Sequence, residues 1–372
     1  MNRENEQKKA LQSLISHYEN GHKAALVKAV MRFGKSKVVL DFVNETDFER
    51  VLILVPSRAL LENWENEIKK WLKRDVFIAT ETLQSAHKLQ GNWDLIILDE
   101  IHNLTSLKFS ILEDFFREAR FLIGITATLP RDYDKLAILQ HLGFKLVYDL
   151  TIEDAIDKQI VNQFNVKVIA SPLDKTKNIE RRTRKGHTFY TSEELSYAYY
   201  TKLYANNPIK ENALKRAYFL YGLKSKVEAT KSLCAFLDKN NPGNRKLIFT
   251  KRVHIADSIC RYSISSKQKS EINQLILNRF IDGSIDCIST VEMLNEGVTI
   301  PDIDYIIIES FDSNMNNLLQ RIGRSLAYTG KTINVYIIVA EDTVEEKWLE
   351  KILPDVPVSY YLYRKVRFIT RP

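Results

Sequence analysis

Nine short apolar runs, five before a charged middle stretch and four after it, constrain this 372-residue chain more than any other feature. The first set is AALVKAV (24–30), VLILVP (51–56), DVFIAT (75–80), WDLIILD (93–99) and RFLIGITAT (120–128). The second is KLIFT (246–250), IDCIST (285–290), IDYIIIES (303–310) and NVYIIVAED (334–342). Most are too short for a helix, rich in Val, Ile and Leu, and lack the polar alternation of a half-exposed strand. Strands covered on both faces read this way, and parallel strands need crossover helices between them. Amphipathic stretches at 57–71, 254–262, 269–280 and 316–327 supply such helices. The expectation is an α/β protein with two tandem parallel-sheet domains, at 1–150 and 245–345. Between them, 151–244 reads as a linker and a basic, mostly helical insertion, and 346–372 reads as a tail.

Charge sharpens the picture of the middle. The chain carries 54 Lys and Arg against 47 Asp and Glu, a net +7. Residues 172–252 hold 18 of the cations and 7 of the anions, so this stretch is +11 and the remainder is −4. An anionic partner is implied. A hydrophobic share of 45% with 27% charged residues excludes a disordered chain. No apolar run reaches the ~18 residues of a membrane span, and the start MNRENEQKK lacks the apolar core of a secretory signal. A cytoplasmic protein without a membrane partner is expected, in a bacterial or phage-infected cell. Cys234, Cys260 and Cys287 contain no CxxC pair, which argues against a disulfide framework or a structural zinc site.

Two motifs carry chemistry. Gly34-Lys35-Ser36 follows an apolar run and precedes a helical pattern. In that context backbone N–H groups at a helix start attract phosphate oxygens, a Lys adds a point charge, and a Ser hydroxyl is a ligand for Mg²⁺. The full phosphate-loop pattern asks for glycine where Ala29 stands, so a surface turn ahead of a helix is the competing reading of this tripeptide. Asp99-Glu100-Ile101-His102 closes the run DLIIL. Carboxylates at the C-terminal end of a parallel strand lie where doubly wound sheets bind ligands, and such a pair suits one carboxylate to Mg²⁺ and the other to the attacking water. A plain helix cap is the alternative for Asp99.

In their order along the chain these motifs resemble those of the superfamily 2 DExH-type helicases and translocases, closest in flavour to phage recombination helicases and restriction-enzyme motor subunits. The resemblance implies two RecA-like domains with ATP and Mg²⁺ bound in the cleft between them. Gln7 resembles the glutamine that contacts adenine. Gly34, Lys35 and Ser36 are like motif I, with Ser36 and Asp99 as metal ligands. Ser57 and Arg58 resemble motif Ia, and Thr82 and Gln84 a further motif that touches the nucleic-acid backbone. Asp99 to His102 is a motif II variant in which Glu100 serves the lytic water. Thr126 and Thr128 resemble motif III, which with His102 couples hydrolysis to movement. In the second half Thr250 resembles motif IV. Thr290 and Gly297 match motif V, and Gln320, Arg321 and Arg324 match motif VI, whose side chains reach the phosphates, with Arg324 as the finger. Thr299 and Ala327 depart from the family's aspartate and last arginine. An ATP-dependent motor on nucleic acid is therefore expected, with DNA favoured over RNA and with replication, recombination or restriction proteins as further partners. A nucleotide-gated nucleic-acid clamp, or the weakly hydrolysing motor subunit of a larger assembly, is the alternative.

The basic middle mixes cations with aromatic residues, a composition suited to phosphates and unpaired bases. Arg181, Arg182, Arg184 and Lys185 are its leading contact candidates. Thr191 and Glu194 form a capping-box signature, so a helix is expected to start there with Leu195, Tyr199 and Leu203 on its packing face. The four tryptophans, Trp64 among them, are expected to fill helix–sheet interfaces. The tail PVSYYLYRKVRFITRP suits either an edge strand or a nucleic-acid contact.

Overall fold

The computed structural model describes residues 2–30, 33–130, 132–183, 185–291, 302–312, 329–353, 358–364 and 367–370. They form two compact units that meet in sequence at Asn162 and Gln163.

In the first unit, β1 (Ala24–Ala29), β2 (Arg50–Val55), β3 (Phe77–Thr82), β4 (Leu95–Asp99), β5 (Phe121–Thr126) and β6 (Phe144–Leu150) build an all-parallel sheet. Its order is β3-β2-β4-β5-β1-β6. Every residue of β5 is buried, as the missing alternation predicts for a strand covered on both faces. Edge strand β6 shows exposed residues along its length and left a weaker sequence signal. The helices α1 (Asn2–Glu19), α2 (Lys35–Glu45), α3 (Ala59–Trp71), α4 (Ser106–Glu118) and α5 (Tyr133–His141) alternate with the strands. α2 turns Val38, Val39, Leu40, Phe42 and Val43 inward, and α4 turns Leu112 and Phe116 inward. Gly124 on β5 permits a close approach that positions the site: a Cβ there would lie 2.6 Å from Ile101 Cδ1.

In the second unit the strand order is β11-β12-β10-β13-β14-β7-β15-β16. These are β7 (Phe164–Ser171), β10 (Lys246–Thr250), β11 (Ser263–Ile264), β12 (Cys287–Val291), β13 (Tyr305–Ile308), β14 (Ile333–Ala340), β15 (Val358–Arg364) and β16 (Arg367–Thr370). All neighbours are parallel except β15 and β16. The expected pair of parallel-sheet α/β domains is present, and the tail adds an edge to the second sheet.

The middle segment differs from its sequence reading. β7 pairs with β14 along Phe164–Ser171 and lies inside the second sheet. Asn165 and Lys167 interrupt its apolar run, which hides it in the sequence. α9 (Lys224–Asn240) packs Ala229, Leu233 and Leu237 against Ile169 and Ile338, so it too belongs to this core. What projects between β7 and α9 is a hairpin of β8 (Ile179–Arg182) and β9 (Thr188–Thr191), followed by α7 (Glu193–Asn206) and α8 (Lys210–Leu220). Ser192, not Thr191, caps α7, its Oγ accepting from Leu195 N at 3.2 Å. This places Glu193, Ser196 and Tyr197 inward, while Leu195 and Tyr199 are exposed. Of the expected packing face, Leu195 and Tyr199 are exposed and Leu203 is half-buried.

A buried ion pair fixes α9 to the helix Val344–Ile352. Lys226 Nζ donates to Glu345 Oε1 and Oε2 at 2.8 and 3.0 Å, and both side chains have zero exposure. Fully buried Glu309, just past β13, feels the same cation; burial pushes its carboxyl up to about 7.

Candidate active site

Neighbouring strands β4, β5 and β1 end at one edge of the first sheet, and each delivers a predicted motif there. β1 leads into Gly34, Lys35 and Ser36 at the start of α2. Gly34 has φ +91°, a left-handed conformation that favours glycine, and it sits against the Gln7 amide. Buried Gln7 donates to Phe33 O at 2.6 Å, tying α1 to this loop. Lys35 Nζ donates to Ala29 O at 3.0 Å. Ser36 Oγ donates to Glu67 Oε2 at 2.7 Å. Its proton thus engaged, the Ser36 oxygen keeps lone pairs for a cation.

At the end of β4, Asp99 Oδ2 accepts from Trp64 Nε1 and Oδ1 from Glu100 N, both at 2.9 Å. Burial, reinforced by the Glu100 charge, pushes the Asp99 carboxyl up to about 6, while the Trp64 hydrogen bond and the Lys35 ammonium oppose that rise. Glu100 has φ +46°, ψ 54°, a left-handed conformation that turns the chain sharply out of the strand. Its Oε2 lies 3.3 Å from both His102 Nδ1 and Thr126 Oγ1.

A second set of contacts joins β4 to β5. His102 Nδ1 is 2.9 Å from Thr126 Oγ1. Thr126 Oγ1 donates to Thr128 O at 2.8 Å and accepts from Thr128 N at 3.2 Å. Asn103 Nδ2 donates to His102 Nε2 at 3.2 Å. A neutral imidazole with its proton on Nδ1 satisfies this pattern, and burial holds His102 below the usual histidine range, which favours that form. Lys135 Nζ caps His102 O at 2.8 Å.

The edge suits a nucleoside triphosphate with Mg²⁺. The first amides of α2 have no partner within the helix and face a left-handed glycine. Asp99 and Ser36 are hard oxygen donors. No cluster of three His, Cys, Asp or Glu side chains exists among the described residues.

The expected nucleic-acid residues are divided. Ser57 and Arg58 follow β2, Thr82 ends β3 and Gln84 follows it, so they share the same sheet edge but lie beside the nucleotide motifs. Arg58 and Gln84 are exposed. Thr82, Thr250 and Thr290 are 5%, 0% and 0% exposed. Each sits within its sheet, at the end of β3, β10 or in β12, where strands on that edge bury small side chains. Arg181, Arg182 and Lys185 are exposed on the β8–β9 hairpin. Arg184, Gly297, Thr299, Gln320, Arg321, Arg324 and Ala327 lie outside the described residues. Sequence reading missed Trp64 and Glu67, one helical turn apart on α3, which hold Asp99 and Ser36. Their one sequence signal is that shared i,i+3 face.

The comparisons agree with this arrangement. Residues 1–90 and 73–131 match the family described as "Type III restriction enzyme, res subunit", and residues 225–327 match "Helicase conserved C-terminal domain". The chain is 24% identical over 343 residues to the DNA 3'-5' translocase XPB2 of Sulfurisphaera tokodaii, covering 84% of this chain and 76% of that one. It is 23% identical over 361 residues to transcript termination protein A18 of fowlpox virus, covering 85% and 70%. The Hef helicase domain of Pyrococcus furiosus has the same fold, with TM-score 0.58 at 13% identity over 91% of this chain and 97% of that one.

Proposed function

Because the chain belongs to the superfamily 2 helicases and translocases and is an ATP-dependent enzyme of that kind, we propose a Mg²⁺-dependent motor that steps along DNA as ATP turns over between its two RecA-like domains. The observation that carries this reading is the convergence of the phosphate loop, the Asp99–Glu100 pair and the His102–Thr126 contact on one sheet edge. DNA is favoured over RNA because the archaeal relative matched along most of the chain is a DNA translocase by name.

The described residues take their roles from their place at the sheet edge, and Gly297, Gln320, Arg321 and Arg324 take theirs from the motif resemblance. Lys35 and the α2 amides bind the β- and γ-phosphates, Gln7 contacts the base, and Gly297 and Arg321 complete the nucleotide contacts. Ser36 and Asp99 hold Mg²⁺, which when bound neutralises phosphate charge. Glu100 orients the lytic water and takes its proton. The left-handed backbone turns it out of the strand, and His102 Nδ1–H holds one of its oxygens beside Thr126. Gln320 and Arg324 stabilise charge on the transferring phosphoryl. A change at Glu100 Oε2 reaches Thr126 and Thr128 through His102, which gives β5 a direct link to hydrolysis. Ser57, Arg58 and Gln84 hold the backbone of the nucleic acid, and the Arg181–Lys185 cluster extends its track. Proteins of replication, recombination or restriction are the partners this role suits.

Steady-state ATP hydrolysis tests the reading. Added DNA should raise the wild-type rate at least about tenfold. Lys35→Ala and Glu100→Gln should each lower it by roughly 100-fold or more. Equal hydrolysis with and without any nucleic acid would sink the motor.

A further inference from the structure

Beside the second sheet, the β8–β9 hairpin, α7, α8 and the start of α9 enclose a groove of ≈ 750 Å³ that no motif explains. Two tyrosines stand open in it, Tyr199 at 62% exposure and Tyr218 at 57%. Each meets another ring close to the perpendicular. Tyr199 meets Tyr200 at 5.4 Å and 71°, and Tyr218 meets Tyr221 at 6.0 Å and 74°. Tyr200 in turn rests on Phe219 at 5.2 Å. These ring contacts restrict the outer rings while more than half of each tyrosine stays open, so little order is lost when a flat partner stacks there.

The lining is also cationic. Arg181 comes from the hairpin, Lys215 from α8, Lys224 from the first turn of α9, and Arg252 from just beyond β10. The acidic members are Glu180 and Glu193. Glu193 is buried, and its two oxygens already accept from Ser225 N and Asp174 N. Arg252 donates to Tyr218 O, and its own carbonyl accepts from Thr250 Oγ1 at 3.2 Å. The groove is therefore continuous with the end of β10, where the motif IV resemblance falls.

Open rings flanked by cations match one ligand chemistry, a phosphate backbone whose bases have left their stack. A paired base offers its face to its neighbours in the helix, whereas an unpaired base is free to stack on tyrosine. We infer that this groove is a single-strand subsite, in which Tyr199 and Tyr218 stack unpaired bases while Arg181, Lys215, Lys224 and Arg252 line the backbone. The inference rests on the reading that the chain works on nucleic acid. It adds that the projecting hairpin and helix pair hold the separated strand rather than the duplex.

Fluorescence anisotropy with a labelled oligothymidylate, and with a blunt duplex of the same length, tests this on the full chain. The double variant Tyr199→Ala, Tyr218→Ala should weaken oligothymidylate binding roughly 30-fold or more and leave duplex binding within about twofold. Tyr199→Phe, Tyr218→Phe keeps the rings and should restore binding to near wild type, which separates stacking from loss of fold. If the wild type binds the oligothymidylate and the Ala variant binds it equally well, the subsite is wrong while the motor stands. Equal loss on single strand and duplex also overturns the subsite. If the wild type binds neither probe, the nucleic-acid reading falls, and the subsite with it.

Discussion

The nucleotide edge of the first sheet and the aromatic groove of the second unit use similar residue types in opposite ways. At the edge, nearly every polar side chain is held by another: Asp99 by Trp64, Ser36 by Glu67, Gln7 by Phe33 O, and His102 by Thr126 and Asn103. In the groove, Tyr199 and Tyr218 each meet one neighbouring ring and stay more than half exposed. Chemistry needs preorganised groups that do not move as charge develops, so each must be fixed before substrate arrives. A moving strand needs contacts that make and break, so open rings and long cations serve better. The difference teaches that partnered polar groups should answer to substitution through stability and chemistry, and open ones through binding.

Buried partners should show the largest effect, wherever they lie. Lys226→Met leaves Glu345 and Glu309 in the interior without their cation. It should cost about 3–5 kcal/mol in chemical denaturation, far more than any change in the groove. A loss below ~1 kcal/mol would break the proposed link between partnering and stability.

Trp64→Phe should have an intermediate effect, read mainly in the pH profile. The indole N–H favours ionised Asp99, so without it the carboxyl rises further above about 6. A raised carboxyl takes up its proton at higher pH, so the acid limb of the ATPase profile should move upward. Activity should fall several-fold near pH 6 and less in the alkaline range. An unmoved acid limb with uniformly lower activity would make Trp64 a packing residue only.

The smallest effect belongs to the hairpin. Replacing Arg181, Arg182, Arg184 and Lys185 together with Gln should weaken DNA binding and make its salt dependence shallower, since each phosphate contact contributes a slope of roughly 0.7–0.9. ATP binding should be spared. An unchanged slope would return the cluster to solvent.

Much of this was legible in the sequence because buried parallel strands announce themselves. The runs that became β1, β2, β4, β5, β10, β13 and β14 are largely apolar, and motifs stand at the ends of several of them. What escaped notice did so for specific reasons. β7 carries Asn165 and Lys167 within a central strand, so its pattern mimics a linker. α7 carries large apolar and aromatic residues around its circumference, so spacing alone does not say which of them point inward. Trp64 and Glu67 reach their partners across the fold, at separations of 35 and 31 residues, which no local spacing reveals. Thr82, Thr250 and Thr290 show the converse: a motif position fixes a place in the fold without fixing exposure.

Single-turnover phosphate release, with and without saturating DNA, addresses the central claim most directly. A motor whose chemistry is gated by its track should release phosphate rapidly from the DNA-bound protein and at least about tenfold more slowly from the free protein. Identical release in both states, or none in either, would contradict the account and leave a nucleotide-gated clamp in its place.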